Sequence, residues 1–99
     1  MEIALVSGLR GTVGTSLGAL LHSKGIAVHA YDRGAAAGTA PDSESTIARQ
    51  LDEARPDTVF HLAIASQPVG LENESWRINV EWPQRLAAAC RARGIRFVF

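Results

Sequence analysis

The run Ala4-Leu5-Val6-Ser7-Gly8-Leu9-Arg10-Gly11-Thr12-Val13-Gly14-Thr15-Ser16-Leu17 sets three glycines at intervals of three between an apolar segment and an amphipathic one. Few local structures accept that pattern. Glycine admits backbone angles closed to other residues and leaves no Cβ in the way of a close approach. Upstream, Ile3, Ala4, Leu5 and Val6 form an unbroken apolar run, as expected of a strand over Glu2–Ser7 buried on both faces of a parallel sheet. Downstream, Val13, Leu17, Leu20 and Leu21 fall on one helical stripe, and Gly25 supplies a C-terminal stop. A strand, a glycine turn and a helix in that order offer free amides and the positive end of a helix dipole, which suit a phosphate-bearing ligand. The spacing Gly-x-x-Gly-x-x-Gly is not the Gly-x-Gly-x-x-Gly fingerprint, and a tight turn that only packs strand against helix is the alternative.

The next segment favours the ligand. A second apolar run, Ile26–Tyr31, ends at Asp32, roughly 20 residues beyond the glycines, where a dinucleotide site places an acid for the adenosine ribose hydroxyls. Gly34–Pro41 then reads as a loop of small residues. Asp42 or Ser43 can cap a helix that buries Ile47, Leu51 and Ala54 and stops at Pro56. Thr58–Leu62 reads as a third buried strand, and Ala63–Gly70 as a loop at its C-terminal edge, where ligands of open α/β sheets bind. A helix is expected over Glu74–Arg93, with Ile78, Trp82, Leu86, Ala89 and Cys90 on its apolar stripe and Gly94 as its cap. Pro83 inside that pattern calls for a kink or a restart with proline in the first turn. Ile95–Phe99 opens a fourth strand.

The order β, α, β, α, β, α, β predicts an α/β fold, half of a doubly wound Rossmann fold, with a parallel sheet in the order 3-2-1-4 and its switch point between the first and fourth strands. Residues 1–99 are expected to form one dinucleotide-binding domain, large enough to bury roughly two-thirds of the surface of the unfolded chain. Ten basic and ten acidic residues cancel, without long blocks of one sign, so neither nucleic acid nor a membrane surface is an expected partner. Cys90 is the single cysteine, which excludes an internal disulfide and fits a cytoplasmic setting; on an alanine-rich helix it reads as a packing residue. No metal ligand set is evident.

At these residues the chain resembles the extended short-chain dehydrogenase/reductase family, the NAD-dependent epimerase/dehydratase group that acts on nucleotide sugars. Gly8-x-x-Gly11-x-x-Gly14 matches the family's cofactor loop, Asp32 its ribose acid, Pro56–Ala63 its third strand, and Asn79-Val80 its following helix. The resemblance implies NAD or NADP as cofactor. It also implies a Tyr-x-x-x-Lys pair, which this sequence lacks: Tyr31 is the only tyrosine, and Lys24, the only lysine, precedes it. The chain is therefore expected to be the amino-terminal cofactor-binding part of a larger enzyme, truncated within or after the fourth strand and not competent alone. A noncatalytic NAD(P)-sensing or protein-interaction domain is the rival reading.

Candidate cofactor-binding residues are Gly8, Arg10, Gly11, Thr12, Val13 and Gly14 at the turn, Asp32 and Arg33 after the second strand, Leu62, Ala63 and Ala65 after the third, and Asn79 on the last helix. No catalytic residue is assigned. Asp32 would bond both ribose hydroxyls and repel a 2′-phosphate, whereas Arg10 and Arg33 could pair with one, as Arg10 does by resemblance to one branch of the family. The balance leans to NAD. Asp32 can also be a solvated strand end, and Asn79 a local helix cap. His61 on a buried strand reads as a core histidine rather than a catalyst, His22 and His29 as surface residues, and Trp76 and Trp82 as core or interface anchors. The raw edge of the fourth strand is a place for self-association.

Overall fold

Local chemistry sets most of the elements. In a computed structural model that describes residues 1–31, 42–63 and 77–99, the order is β1 (Ile3–Ser7), α1 (Thr12–Ser23), β2 (Ala27–Ala30), α2 (Glu44–Ala54), β3 (Thr58–His61), a π turn (Arg77–Glu81), α3 (Trp82–Ala92) and β4 (Arg96–Val98). Helices α1 and α3 end in the same way. Gly25 (φ +76°) and Gly94 (φ +67°) take left-handed angles. The amides of Ile26 and Ile95 then return to Leu21 O and Cys90 O, at 3.0 and 2.9 Å. That pattern satisfies terminal carbonyls and closes each helix on an isoleucine. Ser43, rather than Asp42, caps α2, its Oγ accepting from Thr46 N–H at 3.2 Å. Pro83 sits in the first turn of α3, directly after the wide π turn, where a missing amide and a ring set against the preceding carbonyls are tolerated.

Among the described residues the four strands form one parallel sheet in the order β2-β1-β3-β4. The doubly wound α/β fold is as expected, but its strand order differs in detail from 3-2-1-4: β3 lies beside β1, not outside β2. Both ends of β1 are fastened to β3. The Asp57 carboxylate accepts from Glu2 and Ile3 N–H at 2.6 and 3.0 Å, and at the other end Ser7 Oγ lies 2.7 Å from His61 Nδ1. Burial agrees. β1 is buried from Ala4 to Ser7 and suits an inner position, whereas three of the four residues of β2 are exposed, which suits an edge. The switch point, where successive connections depart in opposite directions, thus lies between β1 and β3.

Alternation along β1 divides the core. Leu5 joins Tyr31, Val59, Ala63 and the inner faces of α2 and α3, with Ile47, Leu51, Ile78, Trp82, Leu86 and Cys90. Ala4 and Val6 face the opposite side, where Leu21 covers them and Leu17, Val28, Phe60 and Leu62 pack around. Trp82 and Leu86 are fully buried, and truncating a tryptophan so placed costs about 3–5 kcal/mol.

The expected stripe of α1 is rotated. Leu21 and Leu17 pack inward, but Val13 and Leu20 are 66% and 53% exposed. Gly14 and Gly18, with Leu17 and Leu21, form the seated face: a Cβ on Gly14 would overlap Gly8 O, and one on Gly18 would come within 2.9 Å of the Leu9 side chain. Small residues let the helix press on the turn, which carries Val13 and Leu20 outward. No helix among the described residues is long and apolar enough to cross a membrane.

Candidate functional site

The turn between β1 and α1 stands at the C-terminal edge of the sheet. Gly8 adopts φ +75°, and a Cβ there would sit 2.9 Å from Ala63 N, so β1 and β3 meet at this point with no room for a side chain. Gly11 N–H donates to Gly8 O at 3.0 Å and closes the turn. Gly11 is itself the N-cap of α1, with φ −75° and ψ 175°, and no side chain caps the helix. The first bond back to the cap is Thr15 N–H to Gly11 O at 2.8 Å. The amides of Thr12, Val13 and Gly14 precede it, as at any helix start. No acidic residue stands in this first turn, so nothing there offsets the positive end of the dipole. Gly11, Thr12 and Val13 are exposed, and a Cβ on Gly11 would meet only Gly8 O, at 3.3 Å. The outer side of the turn is open to a ligand.

Beside it, Ser7 links the two strands. Its Oγ bonds His61 Nδ1 at 2.7 Å and accepts from the amides of Leu62 and Ala63 at 3.1 and 3.3 Å. Leu62 N–H also donates to Ser7 O at 3.1 Å. Motif spacing does not single out Ser7 or His61. The available signal is register: both are polar ends of apolar runs, and they pair when the two runs are laid side by side.

The structure brings Gly8, Gly11, Thr12, Val13, Gly14, Leu62 and Ala63 to this one edge, with Arg10 exposed on the turn between Gly8 and Gly11. Tyr31 N–H donates to Val6 O at 2.9 Å, which keeps β2 alongside β1 up to that residue. Asp32, Arg33, Ala65 and Trp76 lie outside the described residues. Asn79 is half-buried and lines a different hollow, of about 320 Å³, with Val80, Pro83, Gln84, Phe97 and Phe99. His22 and His29 are exposed. His61 is buried in the core, its ring edge-on to Trp82 with centroids 4.5 Å apart.

Two titratable groups are set by burial. Desolvation pushes the Tyr31 phenol up to about 12, outweighing the lowering influence of neighbouring Trp82 and Arg49. That direction is opposite to the one a proton-transferring phenol needs at neutral pH. Burial likewise pushes the Cys90 thiol up to about 11, so it is a packing residue without thiolate character.

An open parallel sheet, a glycine turn at its switch point and an uncapped helix start define a doubly wound α/β fold. The chain belongs to the NAD dependent epimerase/dehydratase family, whose family model matches residues 4–99. A search of curated proteins returns no match. Among solved structures, a short-chain dehydrogenase/reductase superfamily protein from Agrobacterium tumefaciens with bound NAD is 27% identical, with a TM-score of 0.79 over 99% of this chain and 32% of that one. Thermus thermophilus UDP-glucose 4-epimerase, in complex with NAD, is 24% identical at TM-score 0.79, over 99% of this chain and 37% of its own. Bacillus anthracis dTDP-4-dehydrorhamnose reductase, in complex with NADP, is 21% identical at the same score, over 99% and 35%. The last two likenesses show the fold alone. The chain spans about a third of the length of these structures.

Proposed function

We propose that this chain binds a nicotinamide dinucleotide, with the pyrophosphate over Gly8–Gly14 and the adenosine toward the end of β2. One observation carries the reading. The start of α1 has no capping side chain, no acid in its first turn, and a glycine N-cap whose outer side is open. Backbone amides and dipole there can approach an anion without meeting a Cβ. Thr12, Val13 and Gly14 are the donors this assigns, Leu62 and Ala63 the floor beyond the pyrophosphate, and Arg10, exposed on the turn, the side chain assigned to a phosphate.

When bound, the nicotinamide supplies a hydride acceptor or donor. This chain's residues hold and orient the dinucleotide; among the described residues Tyr31 is buried with a raised pKa, and no Tyr-x-x-x-Lys pair for proton transfer occurs in the 99 residues. We therefore infer that residues 1–99 act as the cofactor-binding unit of hydride-transfer chemistry on nucleotide-linked sugars, a class supported by membership of the NAD dependent epimerase/dehydratase family. Asp32, by repelling a 2′-phosphate, tilts the preference to NAD over NADP.

Isothermal titration of the folded protein with NAD, NADH, NADP and NADPH tests both parts. Saturable binding of at least one dinucleotide is expected, with NAD tighter than NADP. A folded sample that binds none of the four refutes the proposal; tighter binding of NADP refutes only the preference.

A further inference from the structure

Ser7 and His61 are paired across β1 and β3 and are 0% and 3% exposed. A backbone N–H can only donate, whereas a hydroxyl carries one proton and two acceptor lone pairs. Ser7 Oγ faces the amides of Ala63, at 3.3 Å, and of Leu62, which divides its hydrogen between this oxygen and Ser7 O at 3.1 Å each, so both lone pairs are turned toward donors. Its proton is thus left for His61 Nδ1, 2.7 Å away. That assignment makes His61 a neutral ring with its own hydrogen on Nε2. The ring is held in direction by aromatic neighbours, edge-on to Trp82 and stacked with Phe99 at a centroid distance of 5.7 Å.

We infer that His61 is a positioning residue of the dinucleotide site proposed above, and the inference rests on that proposal. Its Nδ1 aims the Ser7 hydroxyl so that both oxygen lone pairs grip the Leu62 and Ala63 amides. Those two residues lie against Gly8, where even an added Cβ would come within 2.9 Å of Ala63 N. A displaced Ala63 backbone therefore moves Gly8, and with Gly8 the turn that presents the amides of α1. Neither Ser7 nor His61 needs to touch the ligand for this.

Two variants separate the acceptor from the ring. His61→Phe keeps an aromatic ring among Trp82, Phe97 and Phe99 but removes the acceptor. His61→Asn removes the ring but keeps an acceptor, its amide oxygen standing near the place of Nδ1. The NAD dissociation constant is expected to rise about tenfold in His61→Phe, the scale of one lost hydrogen bond, with a smaller drop in Tm than in His61→Asn. In His61→Asn it stays within about threefold although Tm falls. A purely structural role would move both readouts together, so affinity that follows Tm across the pair overturns the inference. Nitrogen NMR of the wild-type chain should show His61 protonated on Nε2, and a proton on Nδ1 overturns it without any variant. Ser7→Ala, which removes the hydroxyl alone, should weaken binding by the same factor, and unchanged affinity counts against the inference. Wild-type protein that folds but binds none of the four dinucleotides refutes the proposed function. Wild-type protein that binds NAD while His61→Phe binds it equally well refutes only the positioning role.

Discussion

Replacing Gly11 by aspartate should pull the stability of the turn and its ligand affinity in opposite directions. Gly11 is the N-cap of α1 in an extended conformation that any residue adopts, and an added Cβ meets only Gly8 O at 3.3 Å. The side chain can therefore be accommodated with a small shift of that carbonyl. Aspartate is among the best N-cap residues because its carboxylate accepts from the amides of the first turn, here those of Val13 and Gly14. Relative to glycine this is worth a few tenths of a kcal/mol, and the charge facing the dipole adds about 0.3–1 kcal/mol. The variant should then be as stable as wild type or up to about 1 kcal/mol more so, a Tm rise of at most about 5 °C. For a pyrophosphate the same group is adverse twice, occupying the donors and repelling the anion. Two unit charges 4 Å apart repel by about 1 kcal/mol at the dielectric of water and about 4 kcal/mol at an effective value of 20. With two phosphate charges, even an intermediate value exceeds about 2.8 kcal/mol, which is a hundredfold in Kd. Isothermal titration with NAD and thermal unfolding by circular dichroism read the two effects separately. Gly11→Asn, which caps without charge, should fall between wild type and Gly11→Asp in affinity. An aspartate variant that folds normally and still binds NAD within threefold of wild type would refute the assignment of these amides to the ligand.

Gly14→Ala should fail by another route: its Cβ overlaps Gly8 O and stands 2.7 Å from Leu9 Cα, both backbone atoms, so a loss of about 3 kcal/mol in urea unfolding is expected, with binding lost alongside. Tyr31 is the only tyrosine, and its pKa is raised from 10.0 to about 12 by burial, so phenolate absorbance should stay absent in the folded protein up to about pH 11. Because the folded pKa lies above the unfolded one, the neutral phenol's contribution is intact below pH 10 and is lost between pH 10 and 12, by about 2–3 kcal/mol in total, which unfolding midpoints across that range would show. The Asp57 carboxyl is held below its ordinary 3.8 by the Glu2 and Ile3 amides, so its contribution is present at neutral pH and lost as pH falls through the lowered value. Asp57→Asn should lower the urea midpoint at pH 7 and flatten its dependence on pH below 4; an unchanged acid limb would refute this.

What could be read from residue order alone is what depends on near neighbours. Gly25 and Gly94 announce helix ends, Asp42 or Ser43 a cap, and Pro83 a kink or a first-turn restart, because each effect acts within one turn of chain; the structure takes Ser43 and the first turn. The glycine turn and its place after an inner strand are legible for the same reason. The facing of α1 is less so. Apolar periodicity puts Val13 and Leu20 inside, but the seat is decided by how closely the helix can approach Leu9 and Gly8, and the glycines at 14 and 18 settle that. Strand order is a matter of contacts more than 50 residues apart, made by Asp57 and by Ser7 with His61. Each of those residues reads in isolation as an ordinary polar strand end.

The strand order also decides whether the proposed site is self-consistent. An order 3-2-1-4 sets β2 between β1 and β3, and two strand spacings separate their ends by about 9.6 Å. Under that order Leu62 and Ala63 could not share a floor with the glycine turn, although both are candidates for the same site by their position after the third strand. With β3 beside β1, Ser7 Oγ reaches the amides of Leu62 and Ala63, and Gly8 lies against Ala63. The reversal of connections still falls next to β1, so the glycine turn keeps its place at the crevice while its partner across the crevice becomes β3. The requirement for glycine at position 8 then has a cause that lies outside the turn. It is the backbone of Ala63, and a ligand at this edge would find the two segments already fixed against each other before it binds.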